Sequence, residues 1–165
     1  MSREQAVLDA LANLGIATTT HEHEAVFTVE ASAKLHNEIV GAHTKNLFLK
    51  DASGQFWLVT APHDARIDLK ALPAAIGSKK LSFGKSEDME RLLGVTPGSV
   101  TPLAAFNDVR GAVKVVVDAR LATQPCVNVH PLRNTATISL TAQGLIAFLE
   151  QYQHPPLIAE LPIPQ

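Results

Sequence analysis

A single cysteine, Cys126, stands among the 165 residues of the chain. That count excludes an internal disulfide framework and a zinc knuckle built on cysteine pairs, and it suits a reducing cytoplasm. No apolar run approaches the ~20 residues that a membrane-spanning helix needs. The start, Met1-Ser2-Arg3-Glu4-Gln5, lacks the apolar core of a signal peptide, so the expected location is the cytoplasm and no membrane partner is expected. Excess positive charge is missing too. Sixteen acidic against fourteen basic residues leave a formal net charge of -2, which argues against a protein that coats nucleic acid over a long contact. It leaves room for one that grips only a strand end. Phosphate-loop and dinucleotide fingerprints are absent. So is the Gly-x-Ser-x-Gly elbow of serine hydrolases, because Thr101 follows Gly98-Ser99-Val100 where glycine would be needed.

What is present describes an ordinary globular domain. An apolar fraction of 46% and a charged fraction of 18% are typical of soluble proteins, and the length suits one domain over residues 1–165. Ser2 with Gln5 has the form of a capping box, and Val7, Leu8, Leu11 and Leu14 follow at helical spacing up to Gly15. Ile16 to Val26 reads as extended, and Thr28 as the cap of a short helix through Leu35. Asn46 to Lys50 and Gln55 to Thr60 read as two strands of a hairpin turned by Asp51-Ala52-Ser53-Gly54. Asp68 reads as the cap of a helix over Leu69 to Ile76, with Pro73 inside it. Lys80 to Phe83 is strand-like. Ser86 to Leu93, with acids early and Gly94 at its end, is a punctuated helix. The valine-rich Ala112 to Asp118 predicts a central strand buried on both faces. Cys126 to His130 and Ala136 to Leu140 predict two more, and Thr141 caps a last helix. The proline-rich tail, 154–165, is expected to run extended on the surface. Three to five helices with six or seven strands give an α/β or α+β class, and the hairpins favour a mixed or largely antiparallel sheet.

Three stretches carry possible chemistry. In Gly41-Ala42-His43-Thr44-Lys45-Asn46 a small-residue loop turns into a strand, and Lys45 enters a position where an unpaired ammonium would be costly to bury. It either escapes to the surface or points into a cleft. In Gly94 to Pro102, prolines stiffen the backbone and glycines allow close approach, so N–H groups could face a carbonyl or a developing oxyanion. The same composition also fits a plain helix-to-strand connection. In Asn128-Val129-His130-Pro131-Leu132-Arg133-Asn134, Pro131 stops a strand and leaves an imidazole at its end. Seven histidines invite a metal reading, and His21-Glu22-His23 puts two imidazoles on one face of an extended strand. No His-Glu-x-x-His helix accompanies them, so solvated or hydrogen-bonded histidines are the expectation. No metal and no cofactor is expected. Cys126 sits in an apolar strand pattern and reads as core rather than nucleophile.

Together, His43-Thr44-Lys45-Asn46-Leu47-Phe48-Leu49, Gly98-Ser99-Val100-Thr101-Pro102 and Asn128-Val129-His130-Pro131 resemble the YbaK/prolyl-tRNA synthetase insertion family of trans-acting editing domains, nearest its freestanding alanyl-tRNA(Pro) deacylase branch. The resemblance runs from the first helix to the last. It implies a mixed, strongly curved sheet flanked by helices and hydrolysis of alanine wrongly esterified to proline tRNA. It places the family lysine on Lys45, its polar neighbour on Asn46, the Gly-x-x-x-Pro loop on Gly98 to Pro102 and the pocket histidine on His130. His21-Glu22-His23 matches no family function.

The implied chemistry is modest, because aminoacyl esters are activated: a positioned water, oxyanion donors and a held substrate could suffice. Lys45 could anchor a phosphate or the ester-bearing ribose. Asn46 and His130 could read the α-amino group or the carbonyl. Phe27, Val29 and Leu47 are expected walls of the pocket. The expected partner is the aminoacylated 3′ end of tRNA(Pro), with prolyl-tRNA synthetase a candidate second partner. Lys45, Lys50, Lys79, Lys80 and Lys85 could form a local patch for it, although the last four read equally as solvated surface. Cys-tRNA(Pro) deacylation and a non-catalytic tRNA- or synthetase-binding module remain the alternatives.

Overall fold

A computed structural model describes residues 2–25 and 29–164. In chain order the elements are α1 (Arg3–Asn13), β1 (Thr19–Glu22), α2 (Val29–Glu38), β2 (Ala42–Asp51), β3 (Phe56–Pro62), α3 (Leu72–Ile76) and β4 (Leu81–Phe83). They continue with α4 (Ser86–Leu93), β5 (Val113–Asp118), α5 (Ala119–Ala122), β6 (Val127–Val129), β7 (Ala136–Leu140), α6 (Ala142–Gln151) and β8 (Leu157–Ala159). Short 3-10 turns occupy Pro97–Ser99 and Pro102–Asn107.

The strands form one mixed sheet in the order β1-β7-β6-β2-β3-β5-β8, with β4 pairing β2. Strand β2 is the longest and holds the sheet together. One of its edges pairs antiparallel with β3 along most of its length. The other edge is shared: Ala42 and His43 pair parallel with β6, and Leu49 to Asp51 pair antiparallel with β4. The strand is therefore left without a ladder partner on that edge around Lys45 to Leu47.

Side-chain alternation explains the layers. One face of the sheet presents Phe48, Leu58, Val115, Val129, Ile138 and Leu140, which join Val7 and Leu11 of α1, Leu93 of α4 and Phe148 and Leu149 of α6 in the larger core. The opposite face presents Leu49, Trp57, Val59 and Val116 beneath Leu72 and Ile76 of α3, with Leu161 of the tail. Each fully buried leucine contributes roughly 1.5–3 kcal/mol relative to exposure. Among the described residues the second face changes character towards β6 and β7, where Asn128 and Thr137 are buried polar groups.

Most expected elements form, with instructive differences. Gln5 N–H donates to Ser2 Oγ at 3.1 Å, but the Gln5 amide turns to Asp9 instead of closing the box. The helix expected from Leu69 starts at Leu72. Asp68 accepts from the N–H of Lys70 in a turn, and Pro73, which lacks an N–H, fits the first helical turn rather than a helix interior. Thr141 caps α6 through the N–H of Gly144 at 2.9 Å. Strand β5 lies inside the sheet between β3 and β8 and is buried except at Lys114. The tail does not merely lie on the surface. It supplies β8, parallel to β5, and buries Leu161 and His154. The His154 ring spans Tyr152 O at 2.7 Å and Asp108 Oδ2 at 3.0 Å, which ties the tail to the turn before β5. Cys126 is half-buried at the edge of its strand rather than in the core, its thiol 3.7 Å from Val40 O. Thr28 lies outside the described residues.

Candidate functional site

Where the second face turns polar, a cavity of about 330 Å³ opens between α2 and the β7-β6-β2 part of the sheet. Sheet order spreads its lining groups. His130, just after β6, and Thr137 of β7 stand on one side, Lys45 of β2 in the middle, and His63, just after β3, on the other side. Gly98 and Asn134 close the His130 end, and Ser32, Leu35 and His36 of α2 close the His63 end.

Lys45 is half-buried and lines this cavity. Among the described residues no carboxylate forms an ion pair with it. Of the two alternatives left by the strand-entry argument, surface or cleft, Lys45 lies at a cleft. Gly41, just before β2, has φ +122°, and a Cβ there would lie 2.7 Å from Cys126 Sγ and 2.9 Å from Asn128 Nδ2. Only glycine lets β2 start this close to β6.

Asn46 faces away from the cavity. Its Oδ1 accepts from Thr60 Oγ1 at 2.6 Å, and its Nδ2 donates to Val100 O at 3.1 Å. Both ends of the amide are used to hold the Gly98–Pro102 loop against the unpaired stretch of β2. Within that loop only Gly98 reaches the cavity. Ser99, Val100, Thr101 and Pro102 are buried, and Thr101 Oγ1 caps the following turn through Leu103 N–H at 3.3 Å. Leu47 packs against the core beneath α3 rather than in the cavity. Phe27 and the Val29 side chain lie outside the described residues.

His130 is the best-defined polar group of the pocket. Its Nδ1 sits 3.2 Å from Ala136 O, so Nδ1 carries the proton and Nε2 keeps its lone pair. Burial lowers its pKa, outweighing the Ala136 hydrogen bond, and repulsion from His23 adds to the effect. A neutral imidazole with an acceptor nitrogen is the result. The loop that follows β6 is held firmly: Leu132 adopts φ 70°, and Arg133 donates to Glu4 at 2.6 Å and to both carboxylate oxygens of Glu22 at 2.6 and 2.8 Å.

That last contact accounts for His21-Glu22-His23. His21 Nε2, in β1 antiparallel to β7, lies 3.2 Å from Ser139 Oγ, and His23 Nε2, just after β1, lies 2.9 Å from Thr137 Oγ1. Thr137 lines the cavity, so the segment braces the pocket from the adjoining sheet edge. Ser139 Oγ in turn donates to Asn128 Oδ1, and Asn128 Nδ2 donates to Val40 O at 3.2 Å. These bonds join β1, β7, β6 and the α2–β2 connection.

Three pocket histidines escaped the sequence reading. His36 stacks on His43 with ring centroids 4.1 Å apart at 25°, and His63 stands edge-on to His36 at 4.2 Å. His43 is buried, its Nε2 donating to Ile39 O at 2.8 Å. Burial, then repulsion from His43 and His63, lowers the His36 pKa to about 4. Burial likewise lowers that of His43, despite its hydrogen bond to Ile39. Stacked rings aim their in-plane lone pairs past one another, and no group of three or more ligating side chains among the described residues is placed to hold a metal ion. A signal existed in the period-2 pattern Val127-Asn128-Val129 and Ala136-Thr137-Ile138-Ser139-Leu140, which marks one polar face running across two strands.

A family model for the aminoacyl-tRNA editing domain matches residues 23–148, a span holding every lining residue of the cavity. The chain belongs to the aminoacyl-tRNA editing domain family. It is 43% identical over 146 residues to a protein of Acetoanaerobium sticklandii named prolyl-tRNA editing protein ProX, covering 88% of this chain and 89% of that one. It is 39% identical over 159 residues to the prolyl-tRNA synthetase associated domain-containing protein 1 of Xenopus laevis, covering 93% and 94%. Among solved structures, a candidate trans-editing enzyme for prolyl-tRNA synthetase superposes with TM-score 0.72 at 20% identity over 98% of both chains, which establishes the shared fold. As an editing domain the chain is a hydrolase of the ester that links an amino acid to tRNA. No helix among the described residues is long and apolar enough to cross a membrane.

Proposed function

We propose that this editing domain acts in trans on proline tRNA charged with alanine, and that the cavity between α2 and β2 is where the ester is cut. The observation that carries the proposal is convergence: Lys45, the backbone at Gly98 and the acceptor nitrogen of neutral His130 share one small space. Its volume of about 330 Å³ is at the lower end for ligand pockets, in keeping with an aminoacylated nucleotide end rather than a duplex.

In this reading Lys45 holds the terminal phosphate or the ribose as a flexible point charge. His130 Nε2 accepts from the α-ammonium group, which fixes the carbonyl near the Gly98 backbone, where N–H groups stabilise the oxyanion. Asn46 acts on the loop and not on the substrate. Water adds to the ester carbonyl carbon, with the ribose hydroxyl beside the ester relaying its proton. The bond from the carbonyl carbon to the ribose oxygen then breaks, that oxygen takes the proton, and alanine leaves as the free acid. Discrimination follows double-sieve logic. A synthetic site sized for proline rejects alanine weakly, since a missing methylene is worth only ~1–3 kcal/mol, and a second site too small for the proline ring removes the error. Lys50, Lys79, Lys80 and Lys85 are exposed around the other end of β2, roughly 17 Å along the strand from Lys45 at ~3.3 Å per residue, where they suit the tRNA beyond its tip.

The deciding experiment incubates the protein with Ala-, Cys- and Pro-tRNA(Pro) and follows loss of the ester. Rapid loss of alanine with proline spared is expected. Failure to hydrolyse any of the three would sink the proposal, and preferential loss of cysteine would reassign the substrate.

A further inference from the structure

The lining of the cavity has two unlike ends, and the acyl chemistry accounts for only one of them. His36, His43 and His63 occupy the other end, brought together from α2, from the start of β2 and from just after β3. They are graded in exposure. His43 is buried at the bottom, His36 stacks on it and is half-exposed, and His63 is exposed at the rim. Three clustered imidazoles beside a nucleic-acid site suggest cations for phosphate, yet burial and mutual repulsion hold His36 near a pKa of about 4 and depress His43 as well. Neutral rings at these two positions offer little to a phosphate. What they offer is a flat π surface and ring nitrogens at hydrogen-bond reach, the two features by which proteins recognise an unstacked base.

From this geometry we propose that the His36–His43–His63 cluster is the seat of the terminal nucleobase: the adenine of the substrate's 3′ end continues the His43–His36 stack, with the His63 ring alongside it. The inference rests on the editing reading and adds a base-recognition subsite to it. The arrangement gives the cavity a polarity. The aminoacyl group lies at the His130 end, the ribose and phosphate pass Lys45, and the base rests under α2. Leu35 and Ser32, which line the same end, supply an apolar contact and a hydroxyl for the base edge. Because α2 contributes His36, occupancy by a base joins helix to sheet across the mouth of the site.

The test uses two probes that cannot be hydrolysed: 3′-deoxy-3′-alanylamido-adenosine, and the same alanylamido-ribose without its base. Calorimetric titration of the wild-type protein is expected to favour the adenosine probe. Alanine substitution at a base-stacking aromatic ring typically weakens binding on the order of tenfold. The adenosine probe's advantage should therefore shrink about tenfold in His36→Ala and by a smaller factor in His63→Ala. His36→Phe, which keeps a flat ring, should retain most of it. His63 is exposed, so its variant reports even if substitution at His36 disturbs α2. An equal affinity of the wild-type protein for both probes would overturn the proposal, as would an advantage undiminished in both alanine variants. A wild-type protein that deacylates Ala-tRNA(Pro) but shows either result loses the base subsite and keeps the editing reading. One that binds the adenosine probe through these rings yet hydrolyses no aminoacyl-tRNA loses the editing reading instead.

Discussion

Asn46→Ala separates two roles for a residue that the family resemblance makes a substrate reader. The Asn46 amide bridges Thr60 Oγ1 and Val100 O, and both partners lie in residues less than a tenth exposed, Thr60 at 0% and Val100 at 8%. Alanine removes two hydrogen bonds, each worth about 1 kcal/mol net, and strands a buried hydroxyl and a buried carbonyl, each costing about 1–3 kcal/mol. Thr60 Oγ1 can turn to another acceptor, which leaves roughly 2–4 kcal/mol for the pair. For a domain of this size that corresponds to a fall in Tm of very roughly 5–15 °C. Deacylation should drop as well, because the Gly98 backbone is no longer held near the ester carbonyl, and a misplacement of ~1 Å can cost ~100-fold.

Thermal unfolding and single-turnover deacylation on one preparation provide the check. Asn46→Asp sharpens it, since a carboxylate still accepts from Thr60 but sets negative charge against Val100 O. Aspartate should therefore damage the loop at least as much as alanine. If Asn46→Ala abolished deacylation with Tm unchanged, the positioning role would be refuted and direct contact with substrate restored.

Lys45→Ala should abolish deacylation while leaving Tm within about 1–2 °C, because the half-buried ammonium has no carboxylate partner among the described residues to strand; full retained activity would remove it from the site. Arg133→Ala frees the loop that carries His130 and Asn134, so kcat should fall more than KM rises, and Arg133→Lys should not restore it, because a single ammonium cannot reproduce the forked contacts to Glu4 and Glu22. Stability should decline as pH falls from 6.5 to about 4. Over that window the unfolded His36 ring takes up a proton and the folded one does not, so the unfolded chain binds more protons. For this partly solvated ring the loss is on the order of 1 kcal/mol after screening. His36→Phe should flatten the slope, and an unaltered slope would show that His36 is not the group responsible. Asp51, whose hydrogen bonds from Ser53, Trp57, Gln55 and Lys79 outweigh burial and hold its carboxyl far below 3.8, contributes only under still more acid conditions.

Local chemistry made much of this fold legible. Ser2, Thr141, Gly77 and Gly94 mark helix ends because caps and left-handed turns need those residue types. The β2–β3 hairpin follows from its turn and its apolar runs. The tail was misread because strands are diagnosed by length and alternation, and three residues, Leu157–Ala159, offer neither. Only the edge of β5 gives that segment its partner. Lys45, Gly98 and His130 were read from motif and stand together. Asn46 and Leu47 were read from the same motif and serve elsewhere: Asn46 points to the face opposite Lys45, and Leu47, on the same face as Lys45, packs with the core beneath α3. The histidine cluster was beyond sequence reasoning for another reason. His36 and His43 are seven residues apart but belong to a helix and a strand, and His63 joins them only through the β2–β3 pairing, in which His63 N–H donates to His43 O at 3.0 Å.

The position of the site follows from how β2 is shared. A strand with a full ladder on both edges leaves no backbone free and no gap in which to open a pocket. Here one edge of β2 passes from β6 to β4, and the interval between them is filled by the Asn46 contact to Val100 rather than by a strand. That interval lets the Gly98 loop approach from one side. The polar face of β6 and β7 together with α2 builds the cavity on the other. The buried polar groups this requires are costly unless paired, and the pairing reaches back to β1: His23 to Thr137, then His21 to Ser139 to Asn128. The segment His21-Glu22-His23 thus supports the site by holding the lining residue Thr137 without itself lining the cavity. Replacing Ser139 with alanine tests that chain, because Asn128 Oδ1 and His21 Nε2 lose one partner together. Ser139→Ala should lower Tm by roughly 2–8 °C for an order of 1–2 kcal/mol and slow deacylation through the floor of the pocket. A variant with Tm and rate both unchanged would show that the brace at the sheet edge carries no weight.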